Sequence, residues 1–582
     1  MPGGLNQLAA TGTAQDKYFT VSPEITFFKS VFKRHTRFAI ETIEKDFNKT
    51  TIHETNKTEI RVKIERNGDL LKSLNLVFEL PAIYSGQIGS AASDPKLFFK
   101  WIKNIGFYII EKAELVTGKT VLQTLSGEWL DVYKELYLSD EEKDSVNNMI
   151  GNTVDMHSPE LSKGNKIQAS ISAAGGFSAY NAQNIRYPHS KTLTGSLSLI
   201  NLSSETVINS SSVGSINNTS PNSTIPTING KTIRVPLFFW FSKAASLAYP
   251  LISAQKEELE LKITLRSLND LYTVSDISNN GAGSATQTFR IKNPNDASNF
   301  PYANIGYFLE DTTNSKQLQN NTLNINTKVA ATYIFLDNEE RRDFAEKGEH
   351  MYIIESYKPD IINNFSDHRN FKDSNTIVVN SSQPIKDIII IPQRTDAPNV
   401  NEWGNFTNWI QQDVRPTSFQ SLQSTEFNTP YYDTIAKKYP FPSRQYSSSF
   451  IRREYLGKDL IKNIEILVGK GSNNRLFKKQ DSVYFQNQQV LEYFKTSSKD
   501  GIYVYTFSLN PTNPIQPSGY LNISDNDLSL KFTFPSLPVS TSYSSGDEVN
   551  NVSDYGIRLN VYLVQYRLLK ITGGEVGIMF SD

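Results

Sequence analysis

Apolar side chains recur at every second position along much of this chain. Ile60, Val62 and Ile64 alternate with Glu59, Arg61, Lys63 and Glu65, and Leu74, Leu76, Phe78 and Leu80 follow. Leu259, Leu261, Ile263 and Leu265 alternate with Glu258, Glu260, Lys262 and Thr264; Leu528, Leu530, Phe532 and Phe534 alternate with Ser529, Lys531 and Thr533. A period of two places each apolar set on one face of a strand, ready to be buried against a second sheet. The unbroken run Ile388 to Ile391 predicts a strand buried on both faces. Helical periodicity is scarce. Its clearest case is Asn338 to Glu346, with Asp337 as N-cap. Many strands and few short helices predict an all-β chain of the sandwich or jelly-roll class.

Two polar tracts punctuate this pattern. Residues 139–231 are rich in Ser, Asn, Thr and Gly, too polar to form a core alone, and predict a long surface insert. Residues 273–326 have the same character and predict a linker between two β-domains. A faint repeat also favours two domains. Ile110 to Lys119 resembles Ile461 to Lys470, a separation of about 260 residues once the insert is removed. A competing alignment, Asp69 to Lys72 against Asp459 to Lys462, lies in a different register, and at most one of the two is structural.

Composition narrows the classes of function. The chain has 582 residues, long enough for two large β-domains or about four average ones. Its 28 Tyr and 33 Phe suit pleated, half-buried surfaces. Lys and Arg total 59 against 60 Asp and Glu, and no block of like charge marks a broad nucleic-acid footprint. Cysteine is absent, which excludes disulfides, thiolate metal sites and a Cys nucleophile, and suits synthesis in a reducing compartment. No basic region followed by an apolar run predicts a secretory signal, and no apolar run of about 18 residues predicts a membrane span.

The stretch from Pro23 to Glu41, which contains Phe27, Phe28, Lys29, Phe32, Lys33, Arg34, His35, Arg37 and Phe38, resembles the N-terminal signature of the major capsid proteins of nucleocytoplasmic large DNA viruses. Gly3 to Leu5, Gln7, Leu8 and Ala14 to Asp16 fit the same opening. Val235 to Phe241, Leu247 to Ile252 and Gln255 resemble the family's internal block. Tyr333 to Asp337, Glu340 to Arg342, Phe344, Ala345 and Glu349 to Tyr352 resemble the block that opens its second domain. Ile502 to Tyr505, Phe507 to Asn510, Gln516 to Gly519, Asn522, Tyr562 to Ile571, Gly573 and Gly574 complete the ordered set. Departures are Ser242, where the family often has Cys or Asn, the altered close Gly573 to Gly577, and the length of the insert.

The resemblance implies two tandem eight-stranded jelly-roll β-sandwich domains. The expected division is an N-terminal arm over 1–26, a first jelly-roll over 27–272 carrying the insert at 139–231, a linker over 273–326 and a second jelly-roll over 327–582. It implies a structural protein with no enzymatic activity and no cofactor. Three chains would form a pseudo-hexagonal capsomer, and capsomers would tile an icosahedral shell assembled in the host cytoplasm. Implied partners are further copies of the chain, minor capsid and vertex proteins, an internal membrane beneath the shell and host surfaces met through outer loops, with no sequence-specific nucleic acid. A minor or vertex-associated paralogue, and a glycan-binding or glycan-cleaving β-sandwich protein, are the alternatives; a glycosidase would need two carboxyl groups facing a cleft.

Individual motifs add little chemistry. Gly118, Lys119 and Thr120 end like a phosphate-binding loop, but Ala113 stands where its first glycine is required, so a hairpin turn is expected. Gly230, Lys231 and Thr232 fail likewise at Ile225. The six His have no compact ligand spacing, no metal site is expected, and no Gly-x-Ser-x-Gly elbow occurs. Asn201, Asn209, Asn217, Asn218 and Asn222 head Asn-x-Ser/Thr sequons, which are either glycan acceptors or chance products of a tract made of those residues. Lys29, Lys33, Arg34 and Arg37 stand among aromatic residues. They are candidates for binding nucleic acid or acidic lipid, or for contact with minor capsid proteins at the inner face. Alternatively, they form an amphipathic turn whose aromatics anchor the first barrel while its charges reach solvent or Glu24, Glu41 and Glu44.

Overall fold

The computed structural model describes residues 3–9, 12, 14–30, 32–46, 50–84, 97–159, 191–192, 224–279, 287–292, 304–309, 322–365, 375–379, 381–395, 397–408, 458–468, 479–523, 528–535 and 556–579. Strands β1 (Phe38–Asp46), β2 (Thr58–Ile64), β3 (Leu70–Leu80), β4 (Ile110–Thr117), β5 (Thr120–Ser126), β6 (Lys231–Leu237), β7 (Leu259–Leu265) and β8 (Thr327–Leu336) build the first unit. One sheet runs β1-β8-β3-β6 and the other β2-β7-β4-β5. The second unit uses β9 (Glu349–Phe365), β10 (Asn375–Val379), β11 (Ile385–Arg394), β12 (Asn463–Val468), β13 (Gln480–Asp481), β14 (Tyr503–Thr506), β15 (Leu528–Thr533) and β16 (Ile557–Thr572). Its sheets run β9-β16-β11-β14 and β10-β15-β12-β13. Each order is the other shifted by eight strands, so the chain holds the same jelly-roll twice. Among the described residues, helices are few and short.

The alternation seen in the sequence becomes the cores. In β2, Ile60, Val62 and Ile64 are buried while Glu59, Arg61 and Lys63 are exposed; in β7 all four leucine and isoleucine positions are buried. Each such side chain contributes roughly 1.5–3 kcal/mol relative to leaving it in water. The isoleucine run of β11 is buried on both faces for a specific reason. Ile388 and Ile390 enter the core of the second barrel, whereas Ile389 and Ile391 enter the larger core continuous with the first unit.

The repeat resolves in favour of its first alignment. β4 and β12 occupy the same place in equivalent sheets, and each hands on to the terminal strand. Asp69 instead precedes β3, which lies in the opposite sheet, so the competing alignment has no structural counterpart.

The boundary expected at residue 327 moves. β8 lies between β1 and β3, pairing Phe38 with Leu336 and Asp46 with Lys328 along β1, so it is the closing strand of the first unit. The polar stretch before it therefore connects β7 to β8 within one barrel and is not a linker. Part of it is folded: Tyr272–Asn279 pairs with Leu97–Trp101 and with Gln287–Lys292, and Ile305 and Phe308 are buried. Polar composition marks a long connection but cannot say which sheet the next strand joins. The true crossover is 337–348. It carries the predicted helix Asn338–Glu346, whose first amide donates to the Asp337 carboxylate at 2.8 Å.

The insert expected over 139–231 also begins later. Asp140–Met149 is a helix, Val154–His157 is a helical turn, and Val146, Ile150 and Met156 are buried in the first core. Ser139 and Glu142 form a reciprocal capping box at its start, which satisfies two of the amide donors a helix N-terminus leaves free.

Candidate assembly surfaces

A buried polar constellation lies in the seam between the two barrels. The helix Gly127–Tyr137, capped by the Ser126 hydroxyl accepting from Trp129 N at 3.1 Å, lies against the outward face of the β9-β16-β11 sheet. Trp129 stacks on Tyr357 with centroids 4.3 Å apart and meets Tyr562 at 5.5 Å. Gly127 begins this helix where a Cβ would stand 2.3 Å from the Phe107 carbonyl oxygen, so no larger residue fits. Asn560 and Tyr562 both donate to Glu128 Oε1, at 2.6 and 2.8 Å.

Deeper in the seam, Glu355 is held between Lys243 of the first unit, at 2.7 Å, and Lys386 of the second. Burial pushes its carboxyl upward, but the two ammonium groups outweigh this and hold it at about 2. The neighbouring Asp387 is wholly buried, and there burial wins, raising its carboxyl despite Lys386 and the hydroxyl Tyr137 donates at 2.7 Å. Gln123 stitches the units again, donating to the Glu355 carbonyl at 3.1 Å and accepting from Trp240 N at 3.1 Å.

A second knot centres on Asp131. It accepts from Tyr108 at 2.8 Å and Asn104 at 3.1 Å, and it pairs with Lys499 of the second unit, which also donates to the Gly404 carbonyl at 3.1 Å. Burial raises this carboxyl, yet Lys499 and Lys134 together bring it below its ordinary value. Lys143, on the helix Asp140–Met149, reaches Thr496 at 2.6 Å and the Ser497 carbonyl. Glu355, Asp131 and Glu128 are thus engaged by cations or hydroxyl and amide groups across the seam. Such an arrangement fixes the orientation of two barrels. Apart from Trp240 and Tyr562, which fall in the family-like blocks, none of these residues was singled out in the sequence, although the Ser-x-x-Glu pattern at 139–142 was a legible helix signal.

The N-terminal residues form the opposite kind of surface. Phe27, Phe28 and Phe32 are 89%, 98% and 83% exposed, so they do not anchor the first barrel, and that expectation is corrected. Among the described residues, the Pro23–Glu41 segment has no hydrophobic partner that covers these rings. Lys29, Lys33, Arg34 and Arg37 stand exposed on it, and none makes an ion pair among the described residues. Glu44, one of the acids expected to face them, instead pairs with Arg234 at 3.0 Å and Lys328 at 3.8 Å. The segment runs into β1, the terminal strand of its sheet, whose residues are exposed except for a half-buried Ile43.

Other motifs are placed more simply. Gly118, with φ of +58°, turns the tight hairpin between β4 and β5. His350 is buried with its Nε2 2.8 Å from the Phe344 carbonyl. Among the described residues, no group of three or more His, Asp or Glu could hold a metal ion, and no helix is long and apolar enough to cross a membrane. Asn201, Asn209, Asn217, Asn218 and Asn222 lie outside the described residues.

Residues 26–337 match the family described as major capsid protein N-terminus, and residues 340–577 match the large eukaryotic DNA virus major capsid protein family. The major capsid protein of Phaeocystis pouchetii virus is 25% identical across 100% of both chains. In fold, the chain is similar to the PBCV-1 virus capsid protein, with a TM-score of 0.55 at 18% identity over 96% of this chain and 100% of that one. The Faustovirus major capsid protein gives 0.52 at 12% identity, over 98% and 96%. The junction between the two matched families falls at the crossover after β8, as the strand pairing requires.

Proposed function

This chain belongs to the major capsid protein family of large eukaryotic DNA viruses, and from that premise we propose that three copies associate into a pseudo-hexagonal capsomer. The family is structural and not enzymatic, and the chain is a component of the virion capsid. The proposal rests chiefly on one observation: the same strand order occurs twice, and a buried seam holds the two copies in one relative orientation. Three chains then display six equivalent barrels, which approximate sixfold symmetry and can tile a flat facet. A closed ring of this kind repeats a heterologous contact around its axis. We place assembly in the host cytoplasm. The partners are neighbouring capsomers and minor capsid and vertex proteins, with the internal membrane beneath the shell and host surfaces outside it.

Light scattering on the purified chain tests the reading. The expected mass is about three times 65.6 kDa. Negative-stain images should show a three-lobed particle with a near-hexagonal outline. A strictly monomeric species at micromolar concentration, with its strand signal intact, would count against the capsomer.

A further inference from the structure

We propose that residues 3–37 are an exchanged arm: in the capsomer they leave their own barrel and dock on the body of a second copy of this chain. The inference rests on the capsomer reading and names the contact that closes it.

The first ground is area. Tyr18, Phe19, Phe27, Phe28 and Phe32 are all more than four-fifths exposed. At roughly 150–250 Å² per aromatic side chain, these five rings alone offer on the order of 1,000 Å². One partner of a standard stable interface contributes about 800 Å². Leu8, Val21 and Ile25 of the same segment are exposed as well. The arm is therefore large enough to form one side of an obligate contact.

The second ground is charge. Within residues 1–37, five Lys and Arg (Lys17, Lys29, Lys33, Arg34, Arg37) stand against Asp16 and Glu24, a net charge of +3. The whole chain carries −1, so residues 38–582 carry −4. A basic, aromatic arm and a body of slight net negative charge are complementary in sign, and the body most abundant around an assembling chain is another copy of itself.

The third ground is continuity. The arm leads without a break into β1, which pairs with β8 on one side only; its other edge has no partner among the described residues. An open edge presents unpaired amide and carbonyl groups, which another chain can satisfy. Arm and body are different surfaces, so the contact is heterologous, and three such contacts can close a ring.

The test uses the full-length chain, a variant lacking residues 2–37, and the triple variant Phe27→Ser, Phe28→Ser, Phe32→Ser. Circular dichroism confirms that each retains its strands. Full-length protein should scatter as three chains, and both variants should shift towards one chain at the same micromolar concentration, by at least tenfold in the concentration at half-association. A photo-crosslinker replacing Phe28 should join two chains, with the crosslink mapping to residues beyond 37 of the neighbour. Variants that keep the three-chain mass, or crosslinks confined to one chain, overturn the arm and leave the capsomer standing. Variants that keep that mass while losing binding to phosphatidylserine vesicles would assign the arm to a membrane and also overturn it. A full-length chain that scatters as a monomer overturns both.

Discussion

At the scale of single residues, the seam is decided by a few buried charges. Removing one partner of a buried pair leaves the other uncompensated, which costs about 3–5 kcal/mol. Glu355→Gln should therefore lower the melting temperature sharply at pH 7, because Lys243 and Lys386 would remain buried without their anion. The pH dependence has a definite sign. The folded carboxyl of Glu355 lies near 2 against an ordinary value of 4.5, so its stabilisation is complete above about pH 4.5 and is lost as pH falls towards 2. Asp387 works in the opposite direction. Its raised carboxyl means that ionisation opposes folding as pH climbs past 3.8. Thermal melts from pH 2 to 8 should show a weakened acid-side stability loss in Glu355→Gln, whereas Asp387→Asn, whose amide oxygen can still accept from Tyr137, should be neutral or stabilising at pH 7. A melting temperature of Glu355→Gln equal to the parent would show that the pair contributes nothing. None of this was legible in the sequence. Lys386 and Asp387 are adjacent to an isoleucine run, but their partners come from residues 31 to 250 positions away.

At the scale of elements, what the sequence reveals depends on whether a pattern is local. The alternation of β2 and β7, the double-sided burial of β11 and the Asp337 cap were all legible, because each is set by neighbours a few residues apart. The helix Gly127–Tyr137 was not, since its Trp129 and Tyr137 face the other barrel and mean little until that barrel is in place. Trp129→Ala should cost about 3–5 kcal/mol, read as a shift in denaturant midpoint, and should loosen the two units relative to each other more than it disturbs either core. The polar insert gives a sharper contrast. Replacing residues 160–223 with a short Gly-Ser bridge should leave stability and association intact, because loop length adds little closure entropy. Deleting from 139 should destabilise the chain, since Val146, Ile150 and Met156 would leave the core. Equal behaviour of the two deletions would show that the helix Asp140–Met149 is dispensable.

At the scale of the whole molecule, the double barrel was legible from strand count, the faint repeat and the ordered family motifs. The division between barrels was not. A jelly-roll brings its last strand back beside its first, so β8 belongs with β1 although some 280 residues separate them. A polar tract before such a strand looks the same as a linker. The anchoring expected of Phe27, Phe28 and Phe32 failed for a related reason: aromatics beside a β-domain suggest an anchor when only one chain is considered. If three copies form the capsomer, raising the salt concentration should weaken the arm contact and leave the seam unaffected, since buried pairs are screened far less than exposed ones. Sedimentation at low and high ionic strength would show this as dissociation without unfolding.

The double-faced burial of β11 also bears on synthesis. The sheet that both cores share is completed by β16, which lies between β9 and β11 and follows β9, β11 and β14 in the chain. Until β16 has left the ribosome, β9 has no neighbour in that sheet and the outward-facing isoleucines of β11 have only half of it. A nascent chain can therefore finish its first barrel early but cannot fix the orientation of the second until β16 has been made. Truncated products ending at residue 555 should be protease-sensitive throughout the second unit and should not co-assemble with intact chains in a mixed expression. Incomplete polypeptides would then be kept out of the shell by the order in which the strands emerge.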